Sequence, residues 1–224
     1  MPDTWNRNDK QYGAHEVMEL HEVLENSINA INQFNLLRPH TRDSRLQDLL
    51  DRQTQFMQGE YNTLVQTASQ SGLTGRGSTY RQTGNPSPKY GLRQPAPQHP
   101  ATGDNIGDRE VASAMLGVHK YGATIRMHAA LEIANPELRR MMIQAAQNCA
   151  EEAYECWQFM NEKGFYQVPT LQQNTTNTML ETYQPTGAGT QFTGGFGTTA
   201  FGQGGTASFG QGGGSILGNL PNVQ

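Results

Sequence analysis

Residues 135–164 read NPELRRMMIQAAQNCAEEAYECWQFMNEKG, and this stretch decides the fold. Asn135 is an N-cap type, Pro136 suits the first helical position, and Glu137 places an acid in the first turn. Leu138, Met142, Ala145, Cys149, Ala153, Cys156 and Phe159 or Met160 then recur at spacings of three and four. That is the stripe of an amphipathic helix. Gly164 ends it, as a left-handed C-terminal residue commonly does. A helix of this length runs roughly 42 Å at 1.5 Å per residue.

Three other stretches carry the same period. Val17, Leu20, Leu24, Ile28, Ile31 and Phe34 form a stripe that stops at Pro39. From about Asp43 to Gln70 come Leu46, Leu49, Leu50, Phe56, Met57, Tyr61, Leu64, Val65 and Ala68. From about Asp108 to Ala134 the seam is Val111, Met115, Val118, Gly122, Ile125 and Ala129. Four amphipathic helices of matched length bury their stripes most simply as an all-α bundle.

The connections order the helices. Short links around Pro39-His40 and at Ala134-Asn135-Pro136 make two antiparallel hairpins. Between the hairpins lie residues 71–104, rich in Pro and Gly and carrying Arg76, Arg81, Lys89 and Arg93 with no acid before Asp104. Two hairpins joined by one long crossover predict a ferritin-like four-helix bundle. The basic linker has two readings, a solvated loop or a strap across acidic surface such as that of helix one. The predicted organisation is an N-terminal arm (1–14), a first hairpin (15–70), the linker (71–104), a second hairpin (105–169) and a low-complexity tail (170–224).

Residues 164–224 hold a single charge, Glu181. Residues 172–178 are a Gln/Asn/Thr tract, and from Gly187 glycine-rich units follow, with Phe192, Phe196, Phe201 and Phe209 spaced along them. Such a segment cannot build its own core. It predicts a disordered or extended tail whose phenylalanines make weak, repeated contacts with other chains.

This segmentation explains a whole-chain composition of only 16% charged residues in 224, with net charge −4. The balance excludes an electrostatic magnet for nucleic acid, and no apolar run is long enough for a membrane span. Residues 1–5, Met-Pro-Asp-Thr-Trp, lack the basic and apolar regions of a signal peptide. The chain contains no Glu-x-x-His, and His15-Glu16-Val17-Met18-Glu19 has Glu where a zincin motif needs its second His. Glu16, Glu19, Glu22 and Glu25 read as a solvated acidic surface. Glu132 and Glu152 fall on inner seams but about 25 Å apart along a hairpin, too far to share an ion. His128, one turn before Glu132, makes with it a pair that has two readings, a metal-binding pair or a local hydrogen bond. No catalytic, cofactor or metal set is therefore expected. Cys149 and Cys156, seven apart on one helical face, cannot pair with each other. They are small core residues or, where either reaches an interface, intermolecular cross-linking sites.

Asp108-Arg109-Glu110, Lys120, Glu132, Asn135-Pro136-Glu137-Leu138-Arg139 and the closing Met160-Asn161-Glu162-Lys163-Gly164-Phe165-Tyr166-Gln167-Val168-Pro169 resemble the Coat F family of endospore-forming bacteria. Phe165 stands where that family more usually has tryptophan. His15-Glu16-Val17-Met18-Glu19-Leu20-His21-Glu22 is similar to its first helix. The resemblance covers about 65 residues strongly and stops before the glycine-rich tail. It implies a ferritin-like fold and a non-enzymatic structural role in the spore coat, with synthesis in the mother-cell cytoplasm. It transfers no catalytic residues.

The expected function is thus a structural coat protein that packs into a self-associating or cross-linked layer, its partners other coat proteins or further copies of itself. The alternatives are a ferritin-like metal-binding oxidase or catalase, and an adaptor for one defined coat partner.

Overall fold

The computed structural model describes residues 12–69 and 77–186 of the chain. It divides into two compact units, Met1–Gln173 and Asn174–Gln224. Four long helices make the first: α1 (Ala14–Leu37), α2 (Ser44–Ser69), α3 (Asp108–Glu132) and α4 (Pro136–Lys163). Among the described residues the architecture is all-helical, with only isolated bridges from Tyr90 and Gly91 to Val168.

The ends of α4 follow from its sequence. The Asn135 side chain accepts from the backbone N–H groups of Glu137 and Leu138, Pro136 opens the helix, and Gly164 closes it at φ 79°. α1 and α3 instead begin at Gly13 and Gly107, where Glu16 and Glu110 reach back to accept from the preceding glycine N–H. A carboxylate three residues into a helix thereby satisfies an orphan donor.

α3 packs along α4, α1 against α2 and α3, and α2 against α4. The apolar interior falls into two clusters. Phe34, Leu46, Leu50, Val111, Met115 and Phe159 fill the end near the α1–α2 turn. Leu20, Val23, Leu64, Ile133, Leu138 and Met142 fill the end near the α3–α4 turn. Ion pairs fasten the ends: Lys163 with Asp43 at 2.6 Å, and Arg45 with Glu162 at 2.8 Å.

Two seams differ from the sequence expectation. On α1 the buried residues are Glu16, Leu20, Val23, Ser27, Ala30 and Phe34, while Val17 and Ile28 face outward at 53% and 38% exposure. The face is rotated because Ser27 is turned inward to meet Arg126 of α3. On α3, His119 and Arg126 occupy the buried line, and Val118 and Ile125 flank it.

The linker is not simply a solvated loop. Its residues 77–93 lie across α4 rather than the acidic face of α1. Tyr80 is buried there, stacked edge-on against Phe56 of α2.

In the second unit, the tract expected to be disordered or extended contains a short exposed helix, α5 (Gln173–Glu181). Its Thr178 hydroxyl, and that of Thr182 just beyond it, bond back to carbonyls one turn earlier.

Candidate functional site

Between the two apolar clusters the bundle carries a layer of buried polar side chains. Gln53 of α2, His119 and Arg126 of α3, and Asn148, Cys149, Glu152 and Cys156 of α4 are all buried. Cys149 and Glu152 are three apart and share one face of α4, turned toward His119.

Gln53 organises this layer. Its amide nitrogen donates to the main-chain carbonyl of Glu152 at 3.1 Å, which fixes the amide's orientation. Its oxygen then faces His119 Nε2 at 3.0 Å and the Cys156 thiol at 3.3 Å. An amide oxygen only accepts, so Nε2 carries the imidazole proton and Nδ1 is left as a bare lone pair. Nδ1 stands 3.3 Å from Glu152 Oε2, without hydrogen-bond geometry. Phe34 abuts the imidazole edge-on, at 5.3 Å between centroids.

Burial sets the charge states. Desolvation, reinforced by Arg126, depresses His119 to about 3, so its ring is neutral. Desolvation, with the neighbouring Glu60 adding to it, raises the Glu152 carboxyl well above its ordinary range. It also lifts the Cys149 thiol to about 12 and the Cys156 thiol further. The Arg126 guanidinium is held by Asn26, Ser27 and the Gly122 carbonyl.

Glu152 is the exception among the nitrogen- and oxygen-bearing side chains of this layer. Both its oxygens are fully buried and neither has a hydrogen-bond partner. His119, Cys149 and Glu152 each bring a ligand-type atom within 4.8 Å of the others. No other described residues place three such groups together.

A second arrangement joins α4 to the linker. Asn148 accepts from the Tyr80 N–H at 2.9 Å and donates to the Ser78 carbonyl at 2.7 Å. Asn161 accepts from the Lys89 N–H at 2.8 Å and donates to the Lys89 carbonyl at 3.1 Å. Gln167 takes the N–H of Arg93 and donates to its carbonyl. Three side-chain amides therefore pair with extended backbone as a neighbouring strand would. Glu155, between the first two, takes Arg52 of α2 in two bonds together with Tyr80 and Thr83 of the linker.

Several expected placements change. Glu152 is on the inner seam, but Glu132 is exposed, since the last turn of α3 turns Ile133 inward instead. His128 does not pair with Glu132; it faces Glu19 at 3.4 Å. Glu16 is no solvated acid. It is buried, and its second oxygen accepts from the Asn135 N–H at 2.6 Å, tying the start of α1 to the α3–α4 turn. Cys149 and Cys156 are free and enclosed within the bundle, so a cross-link through either requires the helices to open. Phe192, Phe196, Phe201 and Phe209 lie outside the described residues. The sequence reading missed His119, Arg126 and Gln53. All three sit on buried heptad-like positions, and polar residues on an apolar stripe were the available signal.

The geometry thus defines a class: a helical-bundle protein whose interior polar groups mainly bond to one another. Residues 107–169 match the family model described as Coat F domain. The chain is also 31% identical, over 175 residues, to the spore coat protein F-like protein YhcQ of Bacillus subtilis strain 168, spanning 77% of this chain and 81% of that one. The chain belongs to the Coat F family of spore coat proteins. No solved structure matches it.

Proposed function

We propose that this protein is a non-enzymatic structural component of the bacterial spore coat, a ferritin-like bundle of two hairpins that packs into the layer as a rigid unit. The family membership carries this reading, through likeness to a coat protein over most of both chains. The interior supports it: Gln53, Asn148, Asn161, Arg126 and Glu155 spend their hydrogen bonds on neighbouring segments. The Gly/Phe tail, through Phe192, Phe196, Phe201 and Phe209, supplies weak contacts whose avidity grows with copy number. Its partners are other coat proteins or further copies of itself.

The residues do not favour the oxidase or catalase alternative. A two-metal carboxylate centre needs Glu-x-x-His pairs and further glutamates converging at one level. The layer here offers one imidazole, one carboxylate and a thiol. The adaptor reading differs in the tail. Deleting residues 187–224 abolishes assembly into the coat under the proposal, and leaves binding to a single partner unchanged if the protein is an adaptor. A fluorescent fusion followed through sporulation tests the reading as a whole. Fluorescence at the spore periphery is expected, and a fusion that stays out of the surface layers overturns it.

A further inference from the structure

We propose that His119, Cys149 and Glu152 form a mononuclear binding site for a zinc-class divalent transition metal within the bundle, a site that the coat role does not require.

Three observations point to it independently of one another. The first is the state of Glu152. A buried carboxyl with both oxygens unpartnered is costly, because neither desolvated oxygen recovers the bonds it made to water. A cation bound by both oxygens removes that cost at once.

The second is the tautomer of His119. Gln53 holds the proton on Nε2, so the lone pair of Nδ1 points to the side where Glu152 Oε2 lies at 3.3 Å. Ligating histidines are commonly oriented in this way, with the second ring nitrogen donating to a neighbouring oxygen. Tetrahedral zinc separates its nitrogen and oxygen ligands by about 3.3 Å, so this pair already stands at ligand spacing.

The third is Gly122 of α3. A Cβ placed there would lie 3.1 Å from Cys149 Sγ and 3.0 Å from a terminal nitrogen of Arg126. The missing side chain leaves room for the thiol at the level of His119. All three ligand atoms lie within 4.8 Å of one another, and a side-chain adjustment of about an ångström brings the sulfur to bonding distance.

The donor set selects the ion. Thiolate and imidazole favour zinc, cobalt or iron(II) and disfavour magnesium and calcium, which take oxygen ligands. A thiolate from Cys149 and a carboxylate from Glu152 together neutralise a divalent ion, so the filled site carries no net charge of its own. The Arg126 guanidinium, which would repel a cation, is bonded to Asn26, Ser27 and the Gly122 carbonyl, and the Glu60 carboxylate offsets its charge.

The test uses the full chain without a polyhistidine tag, refolded with cobalt(II) under reducing conditions and freed of excess metal by gel filtration. One equivalent of retained cobalt with a thiolate-to-metal charge-transfer band is expected, and zinc should displace it. Cys149→Ala should abolish the band and Cys156→Ala should keep it. Glu152→Gln and His119→Gln should weaken retention at least tenfold. Circular dichroism on each variant separates lost binding from lost folding, and Cys149→Ala, a small change at a position already packed tightly, is the decisive variant. No retained metal in the folded wild type overturns the proposal. A band that survives Cys149→Ala or disappears with Cys156→Ala overturns it equally.

Discussion

Truncating Asn161 to alanine should release the linker from α4 without unfolding the bundle. Asn161 is 2% exposed and makes three side-chain bonds: it accepts from the Lys89 N–H and donates to the carbonyls of Lys89 and Tyr166. A neutral hydrogen bond contributes about 1 kcal/mol net, so losing the two that reach Lys89 weakens the hold on the linker by about 2 kcal/mol, the third serving the chain just after α4. The cost falls on local opening, because Gly91 N–H to the Val168 carbonyl, the Asn148 pairing and the Glu155 cluster remain. At 1.4 kcal/mol per decade, the opening equilibrium of residues 85–93 should rise about 30-fold. Native-state hydrogen exchange read by mass spectrometry measures this directly. Peptides covering 85–93 should exchange about 30-fold faster, while those from the middle of α1 should not change. Asn161→Asp adds a discriminating arm. It keeps the acceptor for Lys89 N–H but sets an anionic oxygen against two carbonyls, so its defect should exceed that of alanine at neutral pH and lessen in acid. Unchanged exchange over 85–93, or acceleration spread evenly into α1, would refute the view that side-chain amides act as local clasps.

Other expectations follow from the same geometry. Burial raises the Glu60 carboxyl from 4.5 to about 6, against the opposing pull of its Asn148 bond and of Arg126. A raised acid binds more protons when folded, so this group's contribution to stability declines as pH rises from 4.5 to 6. Glu60→Gln should therefore stabilise by about 1–2 kcal/mol at pH 7.5, and by nothing at pH 4, in urea titrations. Burial alone would raise Glu155, but bonds from Arg52, Tyr80 and Thr83 outweigh it and hold the carboxyl low; a bond from Lys163 does the same for Asp43. These depressed acids contribute stability above the ordinary carboxylate range and lose it as pH falls through their folded values. Glu155→Gln should flatten the acid limb of the stability profile. Leu138→Ala, at a position 1% exposed, should cost about 3–4 kcal/mol by chemical denaturation. Gly122→Val should cost about 1–3 kcal/mol through contact with Cys149 Sγ and Arg126, and combining it with Cys149→Ala should recover part of that loss.

Helix α4 was legible in the sequence because its signals are local. Asn135, Pro136 and Gly164 act on backbone within four residues of themselves, and the period of Leu138, Met142, Cys149 and Cys156 needs no knowledge of a partner. The α1 seam was read less well for a reason of the same kind. Val17, Leu24, Ile28 and Ile31 are as apolar as Leu20 and Val23, so hydropathy alone leaves the face undetermined by about one residue. What settles it is Arg126, a hundred positions away, whose guanidinium takes Ser27 and Asn26. The linker was illegible for the opposite reason. Its prolines signal loop correctly, but the amides that hold it belong to α4, where Asn148 and Asn161 look like ordinary surface residues of an amphipathic helix.

The same contrast bears on how one chain serves as a rigid unit. Apolar contacts between helices are tolerant of register, since a slide of one turn exchanges one leucine for another. The polar contacts are not tolerant. Gln53 meets the Glu152 carbonyl, His119 and Cys156 at a single level of the bundle, and Glu16 meets the Asn135 N–H only if α1 starts where α3 turns into α4. Any slide would strand these groups in the interior at about 1–3 kcal/mol each. The helices are therefore held together by their leucines and methionines but held in one alignment by Gln53, Arg126, Glu155 and Glu16. On that argument Gln53, Arg126, Glu155 and Glu16 serve shape, while the Glu152 carboxyl, whose oxygens make no hydrogen bond, is the group that the proposed metal would satisfy.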